Sequence, residues 1–272
     1  MMILMTRIRV SSSDWIVPDW PAPARVRSLI TTRRGGVSVG PYASLNLGQH
    51  VGDDPLAVAE NRRRLGRRLP ALPCWLNQVH GTQVVDAAAA SVPDADGVFA
   101  RHSGFVCAVM SADCLPVLLC DRSGSVVAAA HAGWRGLQAG ILERTVAALG
   151  VAGGQLLAYL GPAIGPQSFA VGDDVHRAFV DARAEAAAAF TALPVRQGEP
   201  GLAPRAADGL STPAGKWLAD IYLLARQALA RVGVDAIHGG GYCTLHEEGR
   251  FFSYRRDGVT GRMASLIWLA EE

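Results

Sequence analysis

The order of apolar runs and helical segments predicts an α/β (α+β) fold: one compact layered domain over residues 1–272, with a mixed β-sheet core flanked by helices. Three observations carry that prediction. Three short apolar runs, GFVCAVMS, LPVLLCD and SVVAAAHAG, follow one another in the centre of the chain, separated by breakers, as buried strands do. Stretches with helical spacing stand on both sides of them. Half of the 272 residues are apolar and 18% are charged, with 26 basic against 24 acidic side chains, so the composition is that of a folded chain.

Residues 24–51 read as turn material around short apolar pieces, punctuated by Gly35, Gly36, Gly40 and Pro41. A helix is predicted from Pro55 to Leu69, capped by Asp53 or Asp54, with Leu56, Ala59, Leu65 and Leu69 on its buried face. Arg62, Arg63, Arg64, Arg67 and Arg68 occupy the other face, read as solvated with their stems laid along the surface. After the three central strands, Leu137–Leu149 reads as a helix stopped by Gly150. QLLAYLG at 155–161 is a further strand, and a helix is predicted over Asp173–Phe190. Residues 191–215 are rich in proline, glycine and alanine and read as a loop. Trp217–Val232 reads as a helix and Ala236–Tyr242 as a strand, with FFSYRR and MASLIWL as closing strands.

The formal charge of +2 argues against a dedicated nucleic-acid binder. The basic residues are one lysine, Lys216, and 25 arginines, a skew that reads as background composition. The start, MMILMTRIRV, is too short for a signal peptide core, and no run of about 18 apolar residues suits a membrane span. Five scattered cysteines, Cys74, Cys107, Cys114, Cys120 and Cys243, do not form a disulfide framework or a C-x-x-C pair. The expected compartment is therefore reducing and cytoplasmic.

Several familiar motifs fail. GLSTPAGK at 209–216 has the wrong glycine spacing for a P-loop, and Trp217 stands where a hydroxyl is required. Neither G-x-G-x-x-G nor G-x-S-x-G occurs. The sharper signal is a set of soft ligands at loops and strand ends: His80 in NQVHGTQVV, Cys114 in SADCLPVLLC and His131 in AAAHAGWRG. Their separations of 34 and 17 residues match no zinc-finger spacing, and each taken alone reads first as an ordinary core or hydrogen-bonded residue. Gly81, Gly133 and Gly136 leave room for close approach to a ligand. Asp113 is a carboxylate in an apolar stretch and needs a partner. Arg135 reads equally as an anion clamp or a salt-bridge partner.

Eight blocks in order then carry a resemblance: TTRRGGVSVGPYASLNLGQHVGDD, LNQVHG, DADG, SADCLPVLLCD, HAGWRG, LGPAIGPQSFAVGDDV, GKWLADI and FFSYRRDGVTGRMA. Spread over residues 28–270, they resemble the YfiH family, also described as the peptidoglycan-editing-factor or multicopper polyphenol oxidase (laccase-like) family. The resemblance implies a zinc site on His80, Cys114 and His131. It implies phosphorolysis of adenosine, inosine, guanosine and methylthioadenosine, together with adenosine deamination. Arg33 in TTR and Asn46 in SLNL fall in family blocks and are expected near the purine nucleoside and phosphate, with Arg135 as a further anion contact. His246 departs from the pattern, since many relatives carry a second cysteine there.

Two imidazoles and a thiolate suit Zn²⁺ and leave a fourth position open, the arrangement of a catalytic site. Cys114, His131 and Asp113 are the expected catalytic residues, with Asp113 as the proton-transfer group. The zinc deaminase signature is absent, so any deamination uses a different scaffold. Two alternatives stay open. A metal-free cysteine hydrolase with Cys114 as nucleophile would suit editing of a peptidoglycan precursor. A polyphenol oxidase would need Cu²⁺ in the same ligands, but seven histidines with no H-x-H pair do not build a multicopper site.

Overall fold

The computed structural model describes residues 15–88, 93–194 and 216–271. A four-stranded sheet has the order β1 (Val26–Ile30), β13 (Met263–Leu269), β5 (Val106–Ser111), β2 (Pro73–Cys74). A six-stranded sheet runs β12 (Ala236–Gly239), β8 (Leu156–Leu160), β6 (Leu115–Asp121), β7 (Val127–Ala132), β4 (Gly97–Ala100), β3 (Val84–Asp86). Both are mixed: β2–β5, β12–β8 and β3–β4 pair in parallel, and their other pairs are antiparallel. A small third sheet joins β10 (Phe190–Ala192), β11 (Lys216–Ala219) and β9 (Ala170–Gly172).

The central runs are apolar throughout because both faces of their sheets are covered. On β6, Leu118 and Cys120 point toward the four-stranded sheet, where they join Cys107, Val109 and Ile267. Val117 and Leu119 point the other way, onto α2 (Trp134–Ala139), α3 (Ile141–Leu149) and α5 (Ile221–Arg231), through Leu137, Ile141, Leu142 and Leu224. The outer face of the four-stranded sheet, with Val106, Ala108 and Leu266, is covered by Leu45, Leu47 and Leu65 of α1 (Pro55–Gly66) and the loop before it. The predicted mixed sheet core flanked by helices is present, as two stacked sheets between helical layers.

Several predicted elements differ. Asp54 caps α1 by accepting from the Leu56 N–H, as expected, but the helix stops at Gly66. Its buried face is Val58, Asn61 and Leu65, while Leu56 is 79% exposed and Ala59 also faces out. Asn61 is buried because its amide holds Ser38, Ser44, Asn46 and Val37 of the preceding loop. Arg62 is not a solvated member of the arginine face: it lies over the Trp75 ring at 4.2 Å and donates to the Leu47 carbonyl. The helix over 137–149 is two helices, because Gly140 takes φ 97° and turns the chain between α2 and α3.

The helix predicted over Asp173–Phe190 ends as α4 (Asp173–Val180), followed by a 3-10 turn over Ala184–Ala189 and then β10. The one over 217–232 begins as strand β11, and α5 starts only after Asp220, whose side chain accepts from the Leu223 N–H. FFSYRR is not a strand: Phe251 and Phe252 are fully buried anchors, and Ser253 caps the short helix α6 (Tyr254–Asp257). The first residues of the predicted 191–215 loop belong to β10, and residues 195–215 lie outside the described residues, as does most of GLSTPAGK. All five cysteines are free, and among the described residues no helix is long and apolar enough to cross a membrane.

Candidate metal centre

Three separate pieces of chain meet at one end of the two sheets. His131 is in β7, opposite Pro116 of β6, and only 3% exposed. Cys114 precedes β6. His80 lies in the loop between β2 and β3 at φ 59°, and Asp113 takes φ 87°, so two non-glycine residues in the left-handed region flank the same point. Such conformations persist where the surroundings enforce them, and they gather at functional sites.

Asp96 is the enforcing group at His80. Its carboxylate is fully buried and accepts N–H bonds from Val79, His80 and Gly81 at 3.2, 3.0 and 2.6 Å. It also meets His131 Nδ1 at 2.8 Å, while the Asp96 carbonyl accepts the His131 N–H at 2.7 Å. One buried charge thus shapes the His80 loop and fixes the His131 ring. With Nδ1–H donated to Asp96, the Nε2 lone pair of His131 is the one left for a metal. Gln78 adds a second clamp: its amide donates to the Met110 carbonyl and accepts the Met110 N–H. Asp96 was present in the DADG block, but its role was not read there. The legible signal was an acidic residue followed directly by glycine and a buried strand.

The donor atoms of His80, Cys114 and His131 all lie within 4.8 Å of one another, and Cys114 Sγ is 3.7 Å from His80 Nε2. Tetrahedral zinc with its usual Zn–N and Zn–S lengths spaces N and S donors by about 3.5 Å. Burial pushes the Cys114 thiol up, but the facing His131 and His80 imidazoles outweigh it and bring the thiol down to about 6. His131 is raised in turn: burial opposes its charge, and the Cys114 thiolate and Asp96 carboxylate overcome that. Gly133 leaves the space: a Cβ there would stand 2.7 Å from His80 Cδ2 and 3.1 Å from Cys114 Sγ. The donor set, its spacing and a thiol already disposed to ionise fit a divalent soft-to-borderline metal such as Zn²⁺.

The other expected residues have partners of their own. Both oxygens of Asp113 are taken, Oδ1 by the Thr244 hydroxyl at 2.6 Å and Oδ2 by the Arg255 N–H at 2.7 Å. Arg33 donates to the Ala43 and Glu248 carbonyls and lies over the Phe252 ring. Asn46 is fully buried, donating to the Gly48 carbonyl and Asp53 and accepting from the Gly48 and Arg262 N–H groups. Arg135 is exposed at the start of α2 with its guanidinium over Trp134. His246 is exposed and contacts the Ser168 hydroxyl at 3.1 Å.

Fold and site together define an α+β protein with a two-histidine, one-cysteine cluster that could hold a metal ion. The chain belongs to the YfiH family: a family model described as multi-copper polyphenol oxidoreductase laccase matches residues 27–270. A purine nucleoside phosphorylase of Pseudomonas aeruginosa is 56% identical over 257 residues, covering 94% of this chain and 99% of the relative. The purine nucleoside phosphorylase YfiH of Escherichia coli is 51% identical over 261 residues, with coverage of 94% and 99%. A Neisseria meningitidis protein of known structure superposes with a TM-score of 0.84 at 52% identity, covering 95% of this chain and all of that one. YlmD from Geobacillus stearothermophilus superposes with a TM-score of 0.77 at 33% identity, covering 95% and 97%.

Proposed function

We propose that this chain is a zinc-dependent purine nucleoside phosphorylase acting on adenosine, inosine, guanosine and methylthioadenosine, with adenosine deaminase activity at the same site. The observation that carries the reading is the convergence of His80, Cys114 and His131 on one point, in a chain 56% identical to a purine nucleoside phosphorylase. A zinc ion held there would supply Lewis-acid charge. His80, Cys114 and His131 would hold it, and Asp96 would keep His131 in the ligating tautomer. In phosphorolysis a phosphate oxygen bonds to C1′ of the ribose as the C1′–N9 bond breaks. The purine leaves with the electron pair and takes up a proton. Deamination forms a C6–O bond from water as the C6–N bond breaks and ammonia leaves, and it needs no phosphate.

Asp113 is assigned a positioning role rather than proton transfer, because both its oxygens already tie the Cys114 turn to Thr244 and Arg255. Asn46, with its amide fully engaged, organises the loop that Arg262 packs against. Arg33 and Arg135 remain candidate contacts for nucleoside and phosphate. The thiolate centre and five free cysteines suit the reducing cytoplasm, where these substrates occur.

The test is release of hypoxanthine from inosine with and without phosphate. Wild-type protein is expected to require phosphate and to yield ribose 1-phosphate, and Cys114→Ala and His131→Ala are expected to lose both activity and bound zinc. Full activity in metal-free variants would overturn the reading. The lowered Cys114 thiol facing two histidines also favours a metal-free cysteine hydrolase as the second reading. Iodoacetamide separates the two: zinc-loaded protein protected at Cys114 and active supports the phosphorylase, whereas activity abolished by zinc supports the hydrolase. Phenol oxidation that needs added Cu²⁺ and vanishes with zinc would mark the oxidase activity as copper occupying this site.

A further inference from the structure

Arg262 has no task in the reading above, yet the fold delivers it to the metal centre. Met263, the first residue of β13, pairs with Ser111, the last residue of β5. From Ser111 the chain passes through Ala112 and Asp113 to Cys114. One residue back along β13, Arg262 therefore runs beside the turn that carries the thiol ligand. Its N–H is held by Asn46 Oδ1 at 2.9 Å, and Gly48 packs so closely on its stem that a Cβ there would stand 2.9 Å from Arg262 Cγ.

The guanidinium is half committed. Nη1 donates to the Thr260 and Gly261 carbonyls at 3.1 and 3.0 Å. Among the described residues, Nε and Nη2 have no hydrogen-bond partner and no carboxylate pairs with the group. Burial lowers the Arg262 pKa, and the groups that oppose this are Cys114, Asp113, Tyr254 and Tyr42, which places the cation in the field of the site. A planar fork anchored along one side and open along the other is suited to two oxygens of a phosphate. The other arginines are placed less well: Arg33 spends Nε and Nη1 on carbonyls, and Arg135 is exposed on α2.

We propose that Arg262 is the phosphate-binding residue of this site, taking the attacking phosphate on its open Nε–Nη2 edge beside the His80–Cys114–His131 centre. The proposal rests on the phosphorylase reading for its catalytic consequence, but phosphate binding tests it independently. Zinc-loaded wild type, Arg262→Gln and Arg262→Lys are compared in steady-state inosine phosphorolysis with phosphate varied, and in calorimetric titration with inorganic phosphate. Loss of charge-assisted hydrogen bonds in Arg262→Gln is expected to raise the phosphate KM and Kd at least about tenfold. The inosine KM and zinc content are expected to stay near wild type. Arg262→Lys keeps the charge without the fork and is expected to raise the phosphate KM about threefold, and it decides the question if the Gln variant does not fold.

An unchanged phosphate KM with intact phosphorolysis would overturn the assignment and leave the phosphorylase reading standing. Phosphate binding that depends on Arg262 in a wild type that releases no hypoxanthine would support the subsite while the activity reading fails. A wild type that neither binds phosphate nor cleaves inosine would overturn both.

Discussion

Asp96 is fully buried and carries a full charge, a state that is tolerable only because three N–H groups and His131 surround it. Burial raises its carboxyl, and the His131 and Gly81 hydrogen bonds outweigh that and hold it below the usual range. Asp96→Asn cannot accept from all of these donors at once, so zinc affinity is expected to fall about 10- to 100-fold, read by chelator competition. Asp113→Asn is a different case. An amide can still accept from the Arg255 N–H and donate to the Thr244 hydroxyl, so a positioning role predicts near-normal kcat, whereas a proton-transfer role predicts its collapse. Cys114 gives a pH prediction. Its thiol is held below its ordinary value by charged His131, which is itself raised to about 9, so the thiolate–imidazolium attraction is present between those values and is lost as pH falls through about 6. Iodoacetamide labelling of Cys114 in metal-free protein, followed by peptide mass spectrometry, is expected to rise with a midpoint near pH 6 and to be blocked by zinc.

At the scale of elements, Gly133 joins β7 to α2 at a place where a side chain would enter the His80–Cys114–His131 cluster. Gly133→Ala is expected to reduce zinc content, measured by metal analysis, with helix content by circular dichroism unchanged. The strands were legible because burial on both faces writes an uninterrupted apolar run: β5, β6, β7, β8 and β13 all stand where those runs are. Helix ends were less legible, because tertiary contacts decide them. Asn61 faces inward although it is polar, because the 37–46 loop supplies its partners. Trp217 lies in a strand despite a helix-compatible neighbourhood, because β9 and β10 border it on both sides. FFSYRR looked like a strand because its two phenylalanines are buried, yet they anchor a helix cap.

For the whole molecule, the two sheets share a face and the metal centre draws on both, through the loop after β2, the turn after β5 and the end of β7. We propose that they unfold as one cooperative unit. Leu118 is fully buried in that shared layer, so Leu118→Ala is expected to cost about 2–5 kcal/mol. The loss should appear equally in the tryptophan fluorescence and far-ultraviolet transitions. The three ligands were readable as chemical types, but their meeting was not, since 34 and 17 residues of spacing say nothing until the register of β6 and β7 is known. Asp96 was hidden for the same reason, because its four partners come from two distant segments.

We propose that the His80–Cys114–His131 cluster is a zinc site at which purine nucleosides are cleaved with phosphate. Its most direct test is a single preparation assayed for inosine phosphorolysis before chelation, after chelation and after zinc is restored, with zinc counted at each stage. The expected result is about one zinc per chain, phosphate-dependent hypoxanthine release that disappears with the metal, and recovery in proportion to zinc returned. Phosphorolysis that continues at full rate in protein stripped of metal would contradict it.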